Sequence, residues 1–327
     1  MPPFDDVELR RSGPDDEAAV LRLLAAALGW SDDDRHRDLF RWKHRDGPFG
    51  PSPAWVAVAA GEIVGFRAFL RWEFERDGRA IRAVRAVDTA VHPRHQRQGL
   101  FARLTSEALP ELRADGVRFV FNTPNDDSRP GYLKLGWQVV GRLPVSTRPS
   151  SLGALGRLAR ARVPAERWSV PSGAGVPAAE ALGDEAALAA LVASQPCSDG
   201  LGTRRSAAYL RWRYGEGPVQ YRALPSGRGV EDGLAIFRLR RRGPSLETAL
   251  CEVLVPGGDR RLEGRLVARV AAAGGADAVV WVGPARPWRG FVPLPGQGPL
   301  LVWRGLADPV RTPAERWRLV LGDVELF

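Results

Sequence analysis

Cysteine is scarce in this sequence: Cys197 and Cys251 are the only two among 327 residues. Neither a disulfide framework nor a cysteine-based zinc site is supported by so few. Long apolar runs are missing as well, because no window reaches the roughly 20 uninterrupted apolar residues of a membrane-spanning helix. The first residues are acidic and polar, unlike a secretory signal. These absences predict a protein of the reducing cytoplasm, without a membrane partner.

Lysine is almost absent too. Lys43 and Lys134 are the only two, although Lys and Arg together number 47 and the net charge is +9. This bias towards arginine is more typical of genome composition than of nucleic-acid binding, and the basic residues are scattered. A basic nucleic-acid-binding protein is therefore the less favoured alternative. The positive field should still concentrate small anionic ligands.

What is present points to two globular domains. Hydrophobic residues make up 44% of the chain, enough for a core in each of two domains of roughly 150 residues. A weak repeat supports this number, since Asp16–Ala19 recurs at 184–187 and Leu39–Lys43 resembles 209–213. We therefore predict a first domain at 1–148, a linker at 149–175 and a second domain at 176–327.

The apolar patterns predict a mixed fold in each half. The predicted elements of the first half are a strand at 7–10, helices at 16–28 and 38–44, strands at 54–59, 63–74 and 80–91, a helix from Gly99, a strand at 117–122, a short helix and a strand from Trp137. The Asp77-Gly78 pair is a hairpin signal, and the strand at 117–122 should run parallel to the one before the helix. This is an α/β (α+β) fold, with a mostly antiparallel sheet flanked by helices.

The turn between Val91 and the following helix has a chemical interpretation. The first N–H groups of a helix have no partner inside it and lie at the positive end of its dipole. Such a turn is an anion site suited to a pyrophosphate, and Gly99 would let the backbone approach the ligand. On its own, one glycine in a strand-to-helix turn is weak evidence.

Two motifs carry a family resemblance over roughly residues 5–145. His92 to Phe101, HPRHQRQGLF, resembles the acetyl-CoA motif Gln/Arg-x-x-Gly-x-Gly/Ala of the GNAT superfamily of N-acyltransferases, with Gln96 and Gly99 in place and Phe101 where Gly or Ala is usual. The stretch from Asn125 through Tyr132 to Gly136-Trp137 resembles that family's later block. The order of the predicted elements is also that of the family. Because the second half of the chain repeats part of the first, we expect two tandem GNAT-like domains.

The resemblance implies an N-acyltransferase that uses acetyl-CoA as donor, no metal, and a small-molecule amine as acceptor. It implies that Tyr132 is the general acid for the departing thiolate and that the N–H near Val91 stabilises the oxyanion. Tyr132 could instead be a half-buried core aromatic. The residues implied to bind the cofactor are Thr89, Ala90, Val91, Gln96, Arg97, Gln98, Gly99, Leu100, Phe101, Asn125 and Ser128.

Several alternatives stay open. Asp88 is the candidate general base, but a structural carboxylate, bonded to backbone or paired with an arginine such as Arg85, is slightly favoured. Asn125 and Ser128 could instead cap the following helix.

The second half lacks the Gln/Arg-x-x-Gly spacing, so we predict a degenerate copy that does not bind acyl-CoA. A non-catalytic acyl-CoA sensor or scaffold is the competing class of function. The acceptor, the acyl length and the oligomeric state are not encoded in a recognisable way.

Overall fold

A computed structural model describes residues 7–161, 163–284, 286–307 and 312–325. The elements of the first half are β1 Val7–Arg11, α1 Glu17–Leu28, α2 Asp34–His44, β2 Ala54–Ala59, β3 Glu62–Arg76, β4 Arg79–Val91, α3 Leu100–Ala114, β5 Phe119–Asn122, α4 Arg129–Lys134 and β6 Gln138–Arg142. The predicted order is confirmed. Helix α2 begins earlier than predicted because the Asp33 carboxylate accepts a hydrogen bond from the His36 N–H (2.8 Å) and caps the helix.

The rest of the chain repeats this plan. Its elements are β7 Val145–Pro149, α5 Leu152–Arg160, β8 Val176–Pro177, α6 Ala178–Ala181, α7 Glu185–Ala193, β9 Leu201–Thr203, α8 Ala207–Tyr214, β10 Arg222–Pro225, β11 Leu234–Arg242, β12 Ser245–Leu254, α9 Arg260–Ala273, β13 Ala278–Val282, β14 Val292–Pro293, β15 Leu300–Gly305, β16 Trp317–Arg318 and α10 Leu321–Val324. None of the helices in the described part of the chain is long and apolar enough to cross a bilayer.

Packing divides the chain into two compact units. The first contains described residues of 7–75, 79–141 and 300–314, and the second contains those of 76–78, 142–299 and 315–325. Strand β7 thus belongs to the second unit and β15 to the first. The predicted boundaries at 148 and 175 concern the sequence repeat and stay a prediction.

The first unit is a sheet in the order β1-β2-β3-β4-β5-β15-β6. Strands β3 and β4 are joined by Asp77 and Gly78, whose φ angles of 51° and 72° are both left-handed, as a two-residue hairpin turn requires. Helix α3 buries Leu104, Ala108 and Leu112 against the sheet. It links β4 to β5, which are parallel as predicted.

Strands β4 and β5 part before β4 ends. Their parallel pairing runs from Ala83 opposite Phe119 to Arg85 opposite Phe121. Strand β4 then continues to Val91, while Asn122 at the end of β5 pairs with Val302 of β15. The last stretch of β4 therefore has an edge that β5 does not cover, on the way to the start of α3.

The second unit is a sheet in the order β14-β7-β13-β12-β11-β10-β8. Strands β12 and β13 are parallel and are linked by α9, just as β4 and β5 are linked by α3. The two halves of the chain thus contain the same β-α-β crossover beside an antiparallel hairpin, which confirms the predicted fold class.

Candidate active site

The turn from β4 into α3 leaves helix N–H groups open. A short 3₁₀ turn at Pro93–His95 is followed by Arg97 and Gly99, both left-handed with φ of 61° and 73°. The first backbone bond of α3 runs from the Arg103 N–H to the Gly99 carbonyl (3.0 Å), and no side chain among the described residues caps the helix. The N–H groups before Arg103 are therefore not used within the helix, and they can receive an anion.

Gly99 keeps this turn accessible. A methyl group on its Cα would meet nothing within 4 Å, so the backbone faces open space, and the positive φ favours glycine. Side chains brace the turn, since Gln96 Nε2 donates to the Val91 carbonyl (3.3 Å) and Gln98 Nε2 to the Arg94 carbonyl (3.4 Å). These features fit the diphosphate that the sequence predicts. Leu100 is buried, so only its backbone can contribute.

Phe101 departs from the family pattern, and the structure explains how its ring is accommodated. The ring packs edge-on against Tyr132, with centroids 5.3 Å apart. It also lies against Gly131, where a side-chain carbon would come within 3.1 Å of the ring. The absence of a side chain at Gly131 therefore makes room for the Phe101 ring between α3 and α4.

Tyr132 is held by an arginine that the sequence analysis missed. Its side chain is 3% exposed, and its hydroxyl accepts a hydrogen bond from Arg67 Nη1 (2.9 Å). The same nitrogen donates to Thr89 Oγ1. Arg67 therefore connects Thr89 of β4 with Tyr132 of α4. A signal was present, because an arginine within the apolar run of β3 is out of place on a buried strand.

Asp88 lies in a buried cluster with two side chains of α2. Its carboxylate is 2.6 Å from Lys43 Nζ and 3.0 Å from His44 Nε2. Burial opposes its ionisation, but the charge of Lys43 and the hydrogen bond from His44 outweigh it and hold the pKa of Asp88 well below its ordinary value. Arg85, the partner suggested from the sequence, donates to Thr123 Oγ1 (2.9 Å) instead.

The cluster also fixes an irregular point of β4. Asp88 has a φ of 42°, the left-handed conformation in which Asp is one of the better-tolerated side chains. Burial lowers the pKa of His44 more than Asp88 raises it, so His44 is neutral and donates through Nε2. An ionised carboxylate with so low a pKa is a weak base. The geometry thus favours the structural alternative for Asp88, and its catalytic role stays a prediction.

Asn125 and Ser128 lie where the chain enters α4. The Asn125 side-chain oxygen accepts hydrogen bonds from the Ser128 N–H (2.9 Å) and hydroxyl (2.6 Å). Asn125 therefore caps the turn that leads into α4, whereas Ser128, directly before α4, caps no N–H of the helix with its side chain. Asn125 is exposed, and its amide nitrogen is not part of this pair, so contact with a cofactor stays a prediction.

Comparison with known proteins decides the family of this region. The sequence profile of the acetyltransferase (GNAT) domain matches residues 8–140. This part of the chain is a GNAT domain. No curated protein matches the chain.

Solved structures resemble most of the chain. A GCN5-related N-acetyltransferase from Kribbella flavida has a TM-score of 0.60 at 15% identity and covers 93% of this chain and 72% of its own. A GCN5-related N-acetyltransferase from Anabaena variabilis has 0.59 at 12%, with coverages of 92% and 73%. Eis1 from Mycobacterium abscessus has 0.57 at 15%, also with 92% and 73%. At these identities the likeness shows a common fold, and it extends beyond the GNAT domain.

The second unit fills the corresponding helix terminus with its own carboxylate. Asp259 Oδ1 accepts hydrogen bonds from the N–H groups of Arg261 (2.8 Å) and Leu262 (3.2 Å) at the start of α9. These bonds, the one from Leu262 first, lower the pKa of Asp259, so the carboxylate is ionised. Unlike the open turn of the GNAT domain, this terminus already holds an anion, which supports the predicted loss of acyl-CoA binding.

Proposed function

We propose that the protein is a cytoplasmic N-acyltransferase that moves an acetyl group from acetyl-CoA to the primary amine of a small molecule. The observation that carries this proposal is the uncapped start of α3, with Gly99 open above it, in a chain that contains a GNAT domain. The N–H groups of residues 97 to 102 would bind the diphosphate of coenzyme A. The uncovered edge of β4 would receive the pantetheine arm.

The oxyanion has a candidate donor on that edge. The His92 N–H bonds to the Val64 carbonyl of β3 (2.8 Å). Because neighbouring N–H groups along a strand point to opposite sides, the Val91 N–H points away from β3, to the side where β5 has parted. A donor placed there would stabilise the negative charge that develops on the thioester oxygen.

Tyr132 is the proposed proton donor to the leaving sulfur. The neutral amine attacks the thioester carbon, a C–N bond forms and the C–S bond breaks. The hydroxyl of Tyr132 then gives its proton to the thiolate. Asp88 is the sequence-based candidate for accepting the proton of the amine, although its contacts with Lys43 and His44 favour a structural role.

The test measures release of free coenzyme A thiol from acetyl-CoA against a panel of amines. Tyr132→Phe should lower the rate roughly 10²–10⁴-fold, as for a lost general acid, and leave the affinity for coenzyme A unchanged by calorimetry. Tyr221→Phe is a matched control, because Tyr221 is also buried and accepts from an arginine, Arg213 Nη1 (2.6 Å), but in the second unit. It should keep the wild-type rate.

Two results would contradict the proposal. A wild-type protein that does not bind coenzyme A would remove its basis. Binding of coenzyme A without thiol release for any amine would indicate the alternative function, an acyl-CoA sensor or scaffold.

A further inference from the structure

Arg67 is a buried cation whose hydrogen-bond partners carry no charge. Its side chain is 0% exposed in the middle of β3. Nη1 donates to the hydroxyls of Tyr132 and Thr89. Among the residues that the structure describes, Nε and Nη2 have no hydrogen-bond partner. A guanidinium stays protonated in proteins, so a full positive charge lies next to the phenol of Tyr132 without a bonded carboxylate to offset it.

Aromatic rings surround this charge. The guanidinium carbon of Arg67 lies 4.8 Å from the ring centroid of Phe69 and 5.1 Å from those of Phe101 and Tyr132. Cation–π attraction of this kind stabilises a desolvated guanidinium without neutralising it. Phe101, the residue that departs from the family pattern, forms one side of this enclosure. Its ring fits there because Gly131 has no side chain. The aromatic rings therefore stabilise the guanidinium of Arg67 and leave its charge to act on the Tyr132 hydroxyl.

The hydrogen bond from Arg67 sets what the Tyr132 hydroxyl can do. A phenol oxygen that accepts from Nη1 keeps its own O–H free to donate elsewhere. When that proton leaves, the negative charge forms on an oxygen that already faces a cation, and charge-assisted hydrogen bonds are roughly twice as strong as neutral ones. We propose that Arg67 is a positioning residue that acts through Tyr132. It directs the O–H of Tyr132 to the leaving sulfur and stabilises the negative charge that develops on the Tyr132 oxygen. This inference rests on the proposed function.

Protons and electrons balance in this step. The C–S electron pair goes to sulfur, and the Tyr132 proton goes to the same sulfur. Arg67 keeps all its protons throughout. Tyr132 regains a proton from solvent after the products leave, while the amine releases one.

The first experiment uses coenzyme A alone, so it needs no acceptor. The thiolate of bound coenzyme A is titrated by its ultraviolet absorbance on the full chain. The thiol should ionise at lower pH when bound to the wild-type protein than when free. Arg67→Met should move this titration back by about one pH unit, because a charge-supported donor becomes a neutral one. Arg85→Met, which removes another buried guanidinium of the same sheet, should leave it unchanged.

The second experiment measures whether Arg67 acts through Tyr132. Arg67→Met should lower kcat roughly 10–100-fold, as a charge-assisted hydrogen bond would, with little change in KM. In a Tyr132→Phe background it should cause no further loss, because residues that act as a unit are not additive. Arg67→Lys keeps the charge, so it should retain part of the rate. Arg67→Gln, which also removes the charge, takes the place of Arg67→Met if that variant does not fold.

Three outcomes overturn the inference. An Arg67→Met protein, or an Arg67→Gln protein where it is used instead, that binds coenzyme A with a wild-type thiol titration and wild-type kcat refutes it alone. Independent, multiplying losses from Arg67→Met and Tyr132→Phe refute it as well. Absence of coenzyme A binding to the wild-type protein overturns the proposed function, and this inference falls with it.

Discussion

Replacing Asp88 with asparagine should destabilise the protein more than it slows acyl transfer. Asparagine keeps the shape of Asp88 and tolerates its left-handed φ of 42°. It also keeps an oxygen for His44 Nε2. What it removes is the negative charge 2.6 Å from Lys43 Nζ. Lys43 is 1% exposed, so its ammonium group would stay buried after losing the charge of Asp88.

Removing one partner of a buried ion pair costs about 3–5 kcal/mol, and that is the loss in unfolding free energy expected for Asp88→Asn at pH 7. The loss is measured by urea denaturation, followed by tryptophan fluorescence. The double variant Lys43→Met with Asp88→Asn removes both charges and should recover most of the stability. Because the folded pKa of Asp88 lies below its ordinary value, this stabilisation is present above about pH 3.9 and is lost as the pH falls through the folded value.

Activity distinguishes this role from catalysis. At a temperature where the variant is folded, its transfer rate should stay within about tenfold of wild type, whereas loss of a general base costs roughly 10²–10⁴-fold. A variant of wild-type stability with a rate reduced by 10² or more would refute the reasoning and establish Asp88 as the base.

Three further predictions concern other sites. Burial raises the pKa of Glu252 to about 7, so the native state binds more protons than the unfolded state between about pH 4.5 and 7 and stability falls as the pH rises through that window. In Glu252→Gln this fall with pH should be much smaller in urea denaturation curves. Gly99→Ala should cost about 1 kcal/mol of stability for its left-handed φ, and it should weaken coenzyme A binding roughly tenfold, or 1.4 kcal/mol, by calorimetry. Titration of the wild-type protein with acetyl-CoA should give one site per chain, since Asp259 occupies the second helix terminus, and two sites would contradict the degenerate second half.

The features that the sequence predicted are mostly local. The Asp77-Gly78 hairpin, the helix from Gly99 and the open turn before it depend on residues close together in the chain. Turn chemistry and apolar periodicity act at that range, so they leave a readable pattern. The parallel pairing of β5 with β4 also followed, because a crossover helix permits little else.

The features that the sequence did not predict are contacts between residues far apart in the chain. Asp88 meets Lys43 and His44 across 45 and 44 positions, and Tyr132 meets Arg67 across 65. Nothing in the local pattern around Asp88 distinguishes this pairing from one with Arg85. The placement of β15 between β5 and β6 is the same kind of case, since backbone pairing of remote strands leaves little trace in composition.

The position of β15 restricts the order in which the protein can fold during synthesis. Strands β5 and β6 are made early, but the strand that separates them is completed only at Gly305. Until then the backbone edge of β5 that later pairs with Val302 is exposed, and an exposed strand edge is a template for aggregation. A chain that ends near residue 148 would carry this edge permanently, so we expect it to aggregate even though it contains the whole GNAT domain.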